Sequence, residues 1–172
     1  MTTIVSIDTG DPEVAASTTA FVKVVFADDG TKERTAFTYS GSFTSQYKAI
    51  MGFLVGADRV VIEKIDSTNK FLSRSVIAEQ LALMRFIADT CGYEVHELVR
   101  SGRKHVITDA LMTQVQMWSE GRHAPFVHHH DVREATRNLL YFMAKDKELN
   151  PILSNHVRHF FKREEGDTAP PA

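Results

Sequence analysis

Four acidic residues hold the chemistry this sequence can offer. Asp8 closes the apolar run of "TTIVSIDTG" and Glu63 closes that of "RVVIEKI", while Asp131 and Glu134 stand three apart in "HHHDVREATRN". Residues three apart on a helix share one face, so Asp131 and Glu134 project together from one turn. If the two apolar runs are neighbouring strands, Asp8 and Glu63 lie side by side, and a helix N-terminus nearby completes a cluster of four carboxylates. Like charges at close range raise one another's pKa, and a divalent cation is the usual remedy. All-oxygen ligation favours Mg2+ or Mn2+ over zinc. Two such ions side by side cleave phosphodiesters, one activating water and the other steadying the leaving oxygen.

Each acid also has a plain structural role open to it. Acids in the first turn of a helix cap it or face its dipole, which would account for Asp131 and Glu134. Asp8 precedes Gly10 and suits a turn. Glu63 ends the run Val60-Val61-Ile62 and needs a partner, for which a neighbouring lysine would serve. The three consecutive histidines, His128 to His130, cannot all face one ion from regular structure. A His128-x-x-Asp131 pair is a second register, in which His128 replaces Glu134 as a ligand. Otherwise the histidines belong to a loop near nucleic acid and pair with phosphate at lower pH.

The elements that must position these residues follow from pattern. A strand over Ile4–Ile7 is followed by strands at 19–27 and 32–39, joined through Asp28-Asp29-Gly30, a strong hairpin signal. Thr44 caps a helix over 45–56. "ADRVVIEKI" reads as a buried parallel strand ending in Glu63. A longer helix over 73–91 has Val76, Ile77, Leu81, Met84 and Ile87 as its apolar stripe and stops at Gly92. "YEVHELV" is a fifth strand. A helical stretch over 108–119, a loop to Phe126, a long helix from about Asp131 to about Lys145 and a short helix around 150–162 complete the chain. The order gives an α/β class with a mixed five-stranded sheet: three antiparallel strands, then two parallel, with helices on both faces.

The bulk numbers set outer limits. The 172 residues suit one domain, expected over 1–163, and the charged, proline-containing residues 164–172 read as a disordered tail. With 43% hydrophobic and 24% charged residues, the composition is that of an ordinary globular protein. No run reaches the roughly 18 apolar residues of a membrane span, and the N-terminus lacks a secretory pattern; a cytoplasmic setting and no membrane partner are expected. The single cysteine, Cys91, excludes an internal disulfide and a multi-cysteine zinc site. A net charge of −2 gives no global attraction to nucleic acid, so DNA binding would need a local basic patch.

Taken together, these segments resemble the RNase H-like superfamily and, within it, the RuvC-type Holliday-junction resolvases, including short phage-encoded members. "VSIDTG" is similar to that family's first strand and "RVVIEKI" to its glutamate-bearing strand. "VHELVRSGRKHVITDALMTQVQMW" resembles its strand, basic segment and Gln-Val helix, and "HDVREATRNLLYFM" its closing helix. The similarity spans most of residues 3 to 145, in the same order.

The resemblance implies a Mg2+-dependent endodeoxyribonuclease, Mn2+ substituting, with two ions per site. It implies cleavage of branched DNA, above all four-way junctions, leaving 5′-phosphate and 3′-hydroxyl ends. Asp8 would bridge both metals, Glu63 would bind one, and Asp131 with Glu134 the other. Arg100, Arg103 and Lys104 fall in the DNA-contacting segment, and Arg133 and Arg137 lie one turn apart beside the acidic pair. Two symmetric cuts call for a C2 homodimer, with the 73–91 helix as a candidate interface. Such an enzyme serves recombination and repair, in the host cytoplasm if phage-encoded. Three departures stand out: Glu134 replaces the usual aspartate, Asp66 occupies a position where an aromatic is common (Phe71 is the nearest), and the glycines before the Gln-Val helix are missing.

Other classes compete. An RNase H-fold DNA-structure binder without catalysis, or a branched-DNA or flap nuclease without strict junction selectivity, would share these segments. An actin-like ATP-binding module starts similarly but needs two domains and more glycines, so no nucleotide cofactor is expected. A DEDD exonuclease wants an acid two residues after the first, where this chain has Gly10.

Overall fold

The computed structural model describes residues 1–65, 68, 72–99, 103–117 and 129–156. Strands β1 (Thr2–Asp8), β2 (Thr18–Phe26) and β3 (Lys32–Ser40) form the antiparallel meander expected from the hairpin signal. Gly30 takes φ 84° in the β2–β3 turn, and the Asp29 carboxylate accepts from the Thr31 amide at 2.9 Å and its hydroxyl at 2.6 Å. These bonds replace ladder pairing where the chain reverses.

Strand β4 (Arg59–Glu63) lies on the other side of β1 and parallel to it, and β5 (Val95–Leu98) is parallel to β4. The sheet order is β3-β2-β1-β4-β5, with the three antiparallel and two parallel strands expected. Central β1 is covered on both faces, which is why its apolar residues Ile4, Val5 and Ile7 fall on both faces and not in strict alternation with polar ones. Ile4, Val5 and Ile7 are all fully buried.

Strand alternation sorts the interior into two layers. One face presents Ile4, Ala20, Val22, Val24 and Val61 to Val132, Ala135, Leu139 and Met143. The opposite face presents Val5, Ile7, Phe21, Val60 and Ile62 to Ile50, Leu54, Leu83 and Ile87. The second layer belongs to helices α1 (Tyr47–Leu54) and α2 (Arg74–Arg85). The first belongs to the short helices α3 (Arg103–Val106) and α4 (Asp109–Gln114) and the long α5 (His129–Lys145).

Helix starts differ from expectation at one place. Ser42, not Thr44, receives the free amide, and Phe43–Ser45 form a 3-10 turn before α1 begins at Tyr47. The cause is tertiary: buried Glu79 of α2 accepts from the Phe43 amide at 2.5 Å and the Ser42 hydroxyl at 3.0 Å. A carboxylate brought in from another helix therefore sets this terminus. Ser73 caps α2, a π-helical stretch over Phe86–Thr90 extends it, and Gly92 at φ 77° ends it. The 108–119 stretch is shorter than expected: Thr108 caps α4, and Gln116 at φ 56° lies just past its end. Of the expected 150–162 helix, residues 150–156 are described and helical. The tail at 164–172 lies outside the described residues, as do Asp66 and Phe71.

Candidate active site

Register brings the four acids together. Ile7 pairs with Ile62 across the parallel β1–β4 ladder, so Asp8 and Glu63 end adjacent strands at one level. Both follow the alternation of Ile4 and Val61 and therefore face the α5 layer. There, Asp131 lies in the first turn of α5 and Glu134 in the next. Burial and the charges of Glu63, Asp131 and Glu134 push the Asp8 carboxyl up to about 8, against a partial opposing pull from Arg103.

Asp131, Glu63 and Glu134 are held by side chains from several elements. The Thr18 hydroxyl, at the start of β2, donates to Asp131. Thr18 is itself positioned by Gly10, whose Cα lies so close that an added Cβ would sit 2.4 Å from the Thr18 carbonyl carbon and oxygen. This close approach is what the glycine after Asp8 supplies. Behind Glu63, the Gln80 side chain of α2 donates to the Glu63 carbonyl at 2.5 Å and accepts from the Ile65 amide at 3.2 Å. That amide bridge continues the strand pairing just past the Glu63 carboxylate.

The centre of the cluster is a guanidinium. Arg103, at the start of α3, is 1% exposed. It donates to Glu63, to the Asn138 side-chain carbonyl and, at 3.1 Å, to Glu134. Asn138 completes the link by donating its amide to Glu63 at 3.4 Å. Glu134 is held from its other oxygen by Arg137 at 2.5 Å. Arg137 in turn donates its Nε to the Ile107 carbonyl at 3.0 Å and pairs with Asp109, which also receives Arg133 at 3.2 Å. Three arginines thus tie the α3–α4 segment to α5 and β4.

These contacts correct part of the basic patch. Arg103 and Arg137 were expected to meet DNA, but they are 1% and 4% exposed and engaged by carboxylates. Four acids in one place need internal counter-charge, and these arginines provide it. Arg133 is partly buried on Asp109. Lys104 is exposed, while Arg100 and His128 lie outside the described residues.

The donor set suits a hard divalent cation: four carboxylates, no sulfur, and one carboxyl that burial and the neighbouring negative charges keep protonated into the neutral range. Among the described residues, however, no group of three His, Cys, Asp or Glu side chains converges on one point as ligands. Arg103 draws Glu63 and Glu134 to itself instead.

Comparison with solved structures aligns 95% of this chain with 96% of Thermus thermophilus RuvC in complex with a Holliday junction substrate, at 12% identity and a TM-score of 0.59. The fold is RuvC-like, within the RNase H-like class. A second Thermus thermophilus RuvC structure aligns over the same shares, 95% and 96%, at 11% identity and a TM-score of 0.46. No protein-family model and no curated protein matches the sequence. Among the described residues, no helix is long and apolar enough to cross a membrane.

Within this RuvC-like fold, sequence reasoning missed Thr18, Gln80, Asn138 and the inward turn of Arg103. Asn138 had a readable signal. It stands four residues after Glu134 and seven after Asp131, on the same helical face, next to the apolar pair Leu139-Leu140. A polar residue there is buried and needs a partner.

Proposed function

We propose that this protein is a divalent-metal-dependent endonuclease that cuts branched DNA, with the four-way junction as its principal substrate. The observation that carries the proposal is the meeting of Asp8, Glu63, Asp131 and Glu134 at the strand ends beneath the start of α5, in a RuvC-like fold. Asp8, Glu63, Asp131 and Glu134 would hold Mg2+ or Mn2+, which supplies activation of water and neutralisation of charge on the phosphodiester. Thr18 orients Asp131, Gln80 fixes the strand end that bears Glu63, and Asn138 orients the Glu63 carboxylate. Lys104 is exposed beside the cluster and would meet the DNA backbone. Resolution of a four-way junction takes two symmetric cuts, so the working form is a C2 homodimer.

The test is cleavage of a synthetic four-way junction and a linear duplex of the same sequence, with Mg2+, Mn2+ or EDTA. Cutting of the junction alone, abolished by EDTA and by Asp8→Asn with junction binding retained, is the expected result. No cutting in either metal, or equal cutting of both DNAs, rejects the proposal. Glu134→Gln and His128→Ala separate the two ligand registers: the first should abolish cutting and the second leave it nearly intact.

A further inference from the structure

Arg103 is a buried cation whose side chain, among the described residues, bonds only within the acid cluster. Its guanidinium donates to Glu63, Glu134 and Asn138, and its Nε is buried with no acceptor among the described residues. Arg137 differs: besides Glu134 it holds the Ile107 carbonyl and Asp109, so it is anchored to α4 and its approach. Glu134 has both oxygens occupied, one by each arginine. A cation placed between Glu63 and Glu134 would meet the Arg103 guanidinium, which donates to both. Geometry selects Arg103 as the one that leaves, because among the described residues its side chain has no partner outside the cluster.

We propose that Arg103 is an exchangeable internal counter-cation, which occupies the space between Glu63 and Glu134 and is displaced when a divalent ion enters. The inference rests on the reading of those two carboxylates as metal ligands. In the absence of metal, Arg103 offsets part of the negative charge of a crowded acid cluster. Metal entry exchanges one cation for another, and the apparent affinity falls by the fraction of molecules in which Arg103 has already withdrawn. The freed guanidinium leaves the start of α3, next to exposed Lys104, with a positive charge to offer a phosphate. Loading of metal and exposure of a phosphate-binding charge are thereby one event.

The test measures Mn2+ binding to wild type, Arg103→Met and Asp8→Asn by calorimetry and by the electron paramagnetic resonance of free Mn2+, without DNA. The expected result is binding that Asp8→Asn abolishes and Arg103→Met tightens about tenfold or more. Unchanged or weaker binding in Arg103→Met, with the Asp8-dependent site intact in wild type, overturns the exchange and leaves the nuclease reading standing. No Asp8-dependent binding in any of the three overturns both. Should Arg103→Met fail to fold, guanidinium NMR of wild type decides. The Arg103 side-chain N–H signals, assigned through the side-chain carbons, should be slow to exchange without metal and become fast at saturating Mg2+. Signals that stay protected while Mg2+ shifts the Asp8 and Asp131 resonances overturn the proposal, and so does a lack of any Mg2+ effect.

Discussion

Arg103 donates to Glu63 across 40 positions of sequence, with its side chain 2% exposed and that of Glu63 10%. The pair joins the first residue of α3 to the last residue of β4. A guanidinium expected on the DNA-facing surface lies instead at the centre of the acids, and its burial sets how the site responds to pH, substitution and cations.

Asp8 governs the pH dependence. Its carboxyl is raised from 3.8 to about 8, so the folded state holds that proton more tightly than the unfolded state does. The stability this contributes is complete below about pH 4 and lost as pH rises to about 8. Asp8→Asn should therefore be the more stable protein at pH 8.5 in EDTA, by on the order of 2 kcal/mol, and nearly equal to wild type at pH 4.5. Urea denaturation at the two pH values checks this. A constant difference between the proteins across that range would refute it.

Asn138 is fully buried and joins Arg103 to Glu63. Replacing it by leucine keeps the volume but removes an acceptor from a buried guanidinium. Asn138→Leu should cost about 1–3 kcal/mol in denaturant titration. An Asn138→Asp variant should lose more at pH 8 than at pH 5, since its carboxylate would face Glu63, to which Asn138 donates.

Gly10 is a steric requirement of the site. A Cβ there would meet the Thr18 backbone at 2.4 Å, and backbone cannot yield as a flexible side chain does. Gly10→Ala should lower stability by about 2–4 kcal/mol and shift Thr18 away from Asp131. Amide chemical shifts around Thr18 and Asp131 should move together in NMR, whereas changes confined to residues 9–12 would contradict the coupling.

Lys104 and Arg137 should separate DNA contact from architecture. Lys104→Ala should fold normally, weaken junction binding and reduce the slope of log affinity against log salt by about 1. Arg137→Ala removes the partner of Asp109, Glu134 and the Ile107 carbonyl and should lower the melting temperature by several degrees, at about 2–4 kcal/mol. Equal thermal loss in both variants would contradict the division.

Much of this protein is decided by local pattern. The β-branched runs, the Asp-Gly hairpin and the helical stripes are properties of neighbours in sequence, and they specify five strands, their order of appearance and the helices between them. The four acids were legible too, because each ends or begins an element whose type the pattern defines. Position at an element's end follows from the element itself.

What pattern could not decide was which charges face each other. Arg103 and Lys104 are adjacent in sequence and both cationic, yet one is buried and the other exposed. Only the packing of α3 against β4 and α5 makes that choice, because the pull of Glu63, Glu134 and Asn138 on a guanidinium exists only after strands and helix have met. The same holds for Ser42 over Thr44, where Glu79 of a distant helix moved the cap. Apolar periodicity is local and survives in the unfolded chain, whereas the pairing of buried charge is a property of the assembled interior.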